Sequence, residues 1–398
     1  MFARSRGRRQ SVCVRLGLYY PWVYLRGGAE RCIDEIVARS RHEWVVYTHH
    51  FEPDATFPRL RAVTVELTPR VSVERSLGPL VRACATLARA ELPDELDGLL
   101  VESESIGELI LVRNDLPAVC YCLTPLKILH DPHAREALAE TDPLKARALG
   151  VLGPPFTMMQ RRLMRRYFHV FACSAESARR LRAARLTPDP EVLLPGVDLE
   201  HFAPGPPQRS AVILVAGRIM WEKNIEIAID AVRDAAGRGL RSRLVIAGAV
   251  DAKSEPYFQR LRASAAGLPV DFETSPTDER LGELYRTALV TLFTPPNEDF
   301  GIVPLEAMAS GTPVIAMNRG GPRETIVHGV TGWLVEPDAR AVADALLAAE
   351  SIDGTDAMAR MRAAAEQRAA EFSWVGFAER IDEMMSAAVG GSRATSRR

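Results

Sequence analysis

Short apolar runs alternate along the chain with longer stretches whose apolar positions recur every three to four residues. The run 11–18 (SVCVRLGL) predicts a buried strand and 28–39 an amphipathic helix. Further strands are predicted at 44–48 (WVVYT), 63–67, 98–102 (GLLVE) and 118–123 (AVCYCL), with helical patterns between several of them. Strand, helix, strand in repeated order is the signature of a parallel sheet covered on both faces.

At 195–210 (PGVDLEHFAPGPPQRS) Pro and Gly are dense and the helical period is lost, which marks a domain boundary. The alternation then resumes, with strands predicted at 211–216 (AVILVA), 244–247 (LVIA), 270–273, 290–294 and 313–317 (PVIAM). Helices are predicted at 225–237 and 257–266, with one more ending near Gly311. Two doubly wound α/β domains facing a central cleft are therefore expected, with ligands beyond the carboxyl ends of the strands.

The length of 398 residues fits two domains, and Lys+Arg 50 against Asp+Glu 51 leaves a net charge of −1 that names no partner. Nucleic-acid binding is not expected, since no recognised motif or basic domain accompanies that balance. Arg4, Arg6, Arg8 and Arg9 at one end and Arg393, Arg397 and Arg398 at the other read as disordered tails. Cys13, Cys32, Cys84, Cys120, Cys122 and Cys173 show no C-x-x-C spacing, so a reduced, cytoplasmic chain is expected; Cys120 and Cys122 read as buried strand residues rather than a metal or redox site. No run approaches a membrane span, which leaves peripheral contact. The segment 160–167 (QRRLMRRY) offers Arg161, Arg162, Arg165 and Arg166 for such contact with anionic lipid, or else forms a solvated helix.

Candidate chemistry concentrates in three segments. In 296–311 (PNEDFGIVPLEAMASG), Glu298 precedes a helix and Glu306 lies inside it. The backbone amides of Phe300, Gly301 and Ile302 then sit at a helix N-terminus that favours an anion or a sugar hydroxyl. Pro304 suits the first turn and Gly311 the position after the last. In 215–224 (VAGRIMWEKN), a strand end and a Gly turn lead to Arg218 and Lys223, two cations suited to a diphosphate. Gly27 and Gly28 open the first helix, a weaker signal that matches neither a dinucleotide fingerprint nor a P-loop.

Together with 192–202 (VLLPGVDLEHF), GGAER, YCLTPLK, GGPRE and HGVTGWL, these segments resemble the GT4 family of retaining glycosyltransferases, which have the two-domain GT-B fold. The likeness runs from about residue 11 to about residue 388 and is closest in motif to the mannosyltransferase branch. It implies an acceptor-binding Rossmann-like domain at 11–197, a nucleotide-sugar-binding one at 198–372, and a C-terminal helix at 373–390 crossing back. Arg218 and Lys223 are then expected on the donor diphosphate, Glu306 on the nucleotide ribose, Glu298 with the amides of Phe300 and Gly301 on the donor sugar, and Gly28 against the diphosphate. The resemblance implies no cofactor and no bound metal, which agrees with 94–97 (DELD) and 189–191 (DPE) reading as turns rather than a D-x-D site. The acceptor is implied to be a glycan, a lipid-linked sugar or a small molecule.

One position departs from the family pattern: Leu123 stands where relatives place a histidine near the reacting sugar, and leucine donates no hydrogen bond. His130 and His133 lie nearby and read as solvated turn residues, while His49 and His50 read as structural. A GT-B nucleotide-sugar epimerase and a catalytically silent partner subunit stay open as alternatives to a transferase.

Overall fold

The computed structural model describes residues 14–395 except 75, 94, 105 and 206–209, without the side chains of 132, 133, 137 and 393–395. The arginine tails, Cys13, the start of the first predicted strand, Asp94 and the His133 side chain lie outside the described residues. The chain divides into two compact units. The first gathers the residues up to Ala172, then Ala178–Glu191 and everything from Val375 onward, and the second gathers Cys173–Ser177 and Val192–Trp374.

The first sheet contains β1 (Arg15–Tyr19), β2 (Glu43–Thr48), β3 (Thr64–Glu66), β4 (Gly98–Glu104), β5 (Ala118–Thr124), β6 (His169–Ala172) and β7 (Glu191–Val192), in the order β3-β2-β1-β4-β5-β6-β7. Glu191 is therefore a strand residue, not part of a turn. Neighbours from β3 to β6 pair in parallel, which requires a crossover after each strand. The helix Trp374–Thr395 packs in this unit: Asp382 accepts from the Arg41 amide at 2.9 Å and from the Ser40 hydroxyl, and Phe377 meets the Tyr121 ring edge-on at 5.1 Å.

The second sheet contains β8 (Val212–Ala216), β9 (Arg243–Gly248), β10 (Val270–Thr274), β11 (Val290–Phe293), β12 (Val314–Met317) and β13 (Gly332–Val335), in the order β10-β9-β8-β11-β12-β13 and again parallel. Strands β8, β11 and β12 read as continuous apolar runs because helices cover both faces, while the edge strand β10 (VDFET) alternates. Ile213, Val215, Leu244 and Ile246 are buried together with Ile229, Val232, Leu261 and Leu346 from those helices. In both units the strand order reverses beside the first strand, β1 against β4 and β8 against β11, and the crevice at such a point is where doubly wound sheets bind ligands.

Candidate active site

At the switch point of the second sheet, β8 ends in Gly217, whose φ of 120° is open to glycine. The turn runs so close to β9 that a Cβ on Gly248 would lie 1.7 Å from the Gly217 carbonyl oxygen. This crossing directs the chain into Arg218, which is exposed and forms no salt bridge among the described residues. A short turn, Trp221–Lys223, closes on Asn224 in the left-handed region and brings Lys223 back over the carboxyl end of β11. Thr294 Oγ1 donates to the Lys223 carbonyl at 2.6 Å, and Lys223 Nζ lies 5.9 Å from the centre of the Phe293 ring. Gly217, Arg218, Lys223, Phe293 and Thr294 line one small pocket.

Lys223 Nζ donates to Glu298 Oε2 at 2.7 Å, with both side chains about three-quarters buried. Two separate sequence segments thus meet in one charged pair. Glu298 belongs to the loop that enters the helix Ile302–Ala309, whose N-cap Gly301 has φ 86°. Gly311 follows the C-cap with φ 70°, the left-handed conformation expected after a helix end. The amides of Gly301 and Ile302 stand at the helix start, while Phe300 is buried and anchors the loop.

Glu306 is half-buried inside this helix, and Tyr285 from the helix Asp278–Thr287 donates its hydroxyl to Glu306 Oε2 at 2.9 Å. Burial, with the Glu306 charge second, pushes the Tyr285 hydroxyl far above its ordinary pKa, so it stays a donor. Tyr285 was not singled out by the sequence, which predicted no helix at Asp278–Thr287.

The GGPRE segment supports this loop. A Cβ on Gly320 would come within 2.2 Å of the Glu298 carbonyl oxygen and one on Gly321 within 2.2 Å of the Phe300 carbonyl oxygen, so the backbone approach demands glycine at both. Glu324 accepts from the amides of Ala175 at 2.7 Å and Glu176 at 3.1 Å, capping the helix Ala175–Ala183 where a negative charge meets the positive end of the dipole.

In the first unit, Gly27 is the N-cap of the helix Gly28–Arg39, and buried Glu30 already places a carboxylate in its first turn, 3.5 Å from the Tyr24 amide. Beside it, at the end of β4, Glu102 is fully buried with neither carboxyl oxygen hydrogen-bonded within the protein. Burial first, then the charges of Glu30 and Glu104, push its pKa well above the carboxylate range. Tyr20 donates to Glu104 Oε2 at 3.0 Å. Strand alternation puts Leu123 on the same face of β5 as Tyr121, the register partner of Glu102. These acidic residues were missed because a single carboxyl at a strand end leaves no mark in an apolar run.

Two expectations are corrected. His130 is not a solvated turn residue: it ends the short helix Lys127–His130 and pairs with Gln160 at 3.0 Å, and Gln160 in turn donates to buried Glu108. Of the four arginines assigned to lipid contact, Arg161 donates to the Ala184 carbonyl, and Arg166 donates to the carbonyls of Leu111 and Asn114 and pairs with Asp115. Only Arg162 and Arg165 keep exposed, uncommitted heads.

Two doubly wound parallel sheets with these motifs define the GT-B fold of glycosyltransferases. Residues 197–368, which lie in the second unit, match the family described as "Glycosyl transferases group 1". Among curated relatives, human alpha-1,3/1,6-mannosyltransferase ALG2 is 36% identical over 171 residues, 38% of this chain and 41% of that protein. D-inositol 3-phosphate glycosyltransferase of Thermobispora bispora is 34% identical over 217 residues, half of each chain. The chain thus spans about half the length of the curated relatives it matches. Among solved structures, Anabaena HepE in complex with UDP and glucose superposes with TM-score 0.68 at 20% identity, covering 94% of this chain and 99% of that one. Sucrose-phosphate synthase from Thermosynechococcus elongatus does so with TM-score 0.69 at 19% identity, covering 93% and 98%.

Proposed function

We propose that the chain is a retaining, metal-independent glycosyltransferase that moves a hexosyl group from a nucleoside-diphosphate sugar to a hydroxyl of a glycan, lipid-linked or small-molecule acceptor. The observation that carries this reading is the Lys223–Glu298 pair, which sits at a sheet switch point beside exposed Arg218 and a helix N-terminus. Cations for a diphosphate and a carboxylate for sugar hydroxyls thereby adjoin one another. GDP-mannose and UDP-sugars are the donors to try first, the former from motif likeness to mannosyltransferases and the latter because a solved neighbour holds UDP. The setting is the cytoplasm, at or near a membrane surface, where the described cysteines stay reduced as the free thiols they are.

In the reaction, the bond from the anomeric carbon to the β-phosphate oxygen breaks and its electron pair leaves with the diphosphate. Arg218, Lys223 and the amides at the Ile302–Ala309 N-terminus stabilise that developing charge. The acceptor hydroxyl oxygen bonds to the anomeric carbon on the face the phosphate departs from, and its proton passes to a leaving phosphate oxygen. Glu298 positions the sugar, and Glu306, oriented by Tyr285, receives the ribose hydroxyls.

Thermal denaturation against a panel of nucleotide sugars tests the donor assignment, because a ligand at 100 times its Kd adds about 2.7 kcal/mol. Incubation of the stabilising donor with acceptors, followed by NMR of the product's anomeric proton, tests retention. An inverted product, or donor turnover needing no acceptor, would sink the proposal.

A further inference from the structure

One face of the helix Pro143–Met164 carries almost no side-chain bulk. Ala146, Gly150, Gly153 and Thr157 recur at intervals of four, three and four residues, so they share one side of the helix over about 17 Å. They form one wall of a cavity of about 790 Å³, whose other walls come from the helices Lys127–His130 and Pro132–Thr141 and the end of Ala175–Ala183. Ile128, Leu129, Leu138 and Leu149 also line it, and each of these apolar side chains is only half-buried. A Cβ at position 150 would meet no atom within 4 Å, so the space beside Gly150 is open. Protein interiors leave few voids larger than a water, and a volume of this size falls in the range of small-molecule pockets.

The polar groups of the lining are gathered and mostly fixed. Arg135 and Arg161 stand against the single acid Glu136, and both cations act electrostatically on the His130 ring, which places the three together. Arg161 is held by the Ala184 carbonyl, to which its Nε and Nη2 donate at 3.3 and 2.9 Å. Gln160 holds His130 at 3.0 Å and is itself anchored on buried Glu108. Arg135 is exposed and forms no salt bridge among the described residues.

We propose that this cavity binds a soluble amphipathic monocarboxylate, with a single alkyl chain along the Ala146–Thr157 face and the carboxylate beside Arg135, Arg161 and His130. The small-residue wall follows the helix lengthwise, so a linear chain fills the space better than a compact ring. One negative charge matches the one excess positive charge of the lining, and a guanidinium suits a carboxylate in geometry as well as in sign. The lining residues all belong to the first unit, whereas Arg218, Lys223 and Glu298 belong to the second, and the inference does not depend on glycosyl transfer.

Titration calorimetry of the full chain with octanoate, decanoate and dodecanoate, each below the concentration at which it forms micelles, tests the site. One molecule should bind per chain, with affinity rising about fourfold per added methylene. Gly150→Leu places a side chain in the open space and should lower dodecanoate affinity roughly tenfold or more. Leucine is a better helix former than glycine, so a melting temperature no lower than that of wild type should accompany the loss. Ala139→Leu, from a facing helix, narrows the cavity independently and should act in the same direction. Arg135→Gln should lower dodecanoate affinity roughly twofold to fivefold and leave that of dodecanol unchanged. No binding, affinity independent of chain length, or wild-type affinity in both folded leucine variants overturns the proposal. Dodecyltrimethylammonium bound as tightly as dodecanoate overturns it as well, since the lining would then not select a carboxylate.

Discussion

The two sheets share a strand order and a switch point, yet the chemistry placed there has opposite sign. In the second unit the crevice beside β8 carries Arg218, Lys223 and a free helix N-terminus. In the first, the crevice beside β1 carries Glu30, Glu102 and Glu104, and a carboxylate already occupies the first turn of the adjoining helix. Under the proposed function the former would stabilise a donor diphosphate and the latter would not, so loop residues rather than strand order would decide which crevice takes the donor.

The comparison breaks most sharply at Arg218 and Lys223. Each alanine variant should lose roughly 10²–10³ in saturated turnover, about 2.7–4 kcal/mol, because the charge these groups face grows as the donor bond breaks. Donor Kd should weaken less than turnover, since phosphate is present in both ground and transition states. Near-normal turnover in both variants, with folding verified by circular dichroism, would remove the cationic crevice from the chemistry.

Glu306→Ala should cost about 1.5–3 kcal/mol in nucleoside-diphosphate affinity by deleting a charge-assisted hydrogen bond. Tyr285→Phe should cost less, roughly 0.5–1.5 kcal/mol, because it only loosens the carboxylate. Titration calorimetry separates the two, and an order of effects reversed from this one would place Glu306 outside the nucleotide site.

In the first unit the expected effect is on stability. The pKa of Glu102 is raised in the folded state above its unfolded value, so the folded chain binds more protons and stability falls as pH climbs from the unfolded pKa toward the folded one. Below the unfolded value the penalty vanishes. Glu102→Gln, which is neutral at every pH, should therefore flatten this decline, with the melting temperature of wild type falling further than that of the variant between pH 4 and pH 7. Parallel pH profiles would mean that Glu102 is not held neutral by its surroundings.

The contrast between the units also explains what the sequence disclosed. β8, β9, β11 and β12 were legible within a residue or two because buried parallel strands are apolar on both faces, whereas the edge strand β10 shows Val270 and Phe272 alternating with Asp271 and Glu273. β6 and β13 were not: four residues each, one follows an arginine-rich helix end and the other lies in a glycine-rich loop segment, and neither shows a period. Glu298, Glu306, Arg218 and Lys223 were legible as motifs, whereas the meeting of Lys223 with Glu298 is a consequence of β8 lying next to β11. The helix Pro143–Met164 was foreseen only at its basic end, since paired prolines at 154 and 155 argue locally against a helix that tertiary packing nonetheless completes.

The smallest expected effect is none, and it tests why the cationic crevice is built as it is. A diphosphate leaving group needs positive charge that is in place before the bond breaks, and a divalent ion or fixed protein groups can both supply it. A divalent ion would need oxygen ligands directed at the phosphates, and the Glu298 carboxylate is already paired to the Lys223 ammonium at 2.7 Å. The pair holds Lys223 in position, and Arg218 adds a second full charge that needs no counter-ion from solution. Turnover in EDTA should accordingly equal turnover in buffer alone, and added Mg²⁺ or Mn²⁺ should not raise it. Activity lost to the chelator and restored by either ion would mean that Arg218 and Lys223 do not suffice, and that Glu298 exchanges its lysine partner for a metal when donor binds.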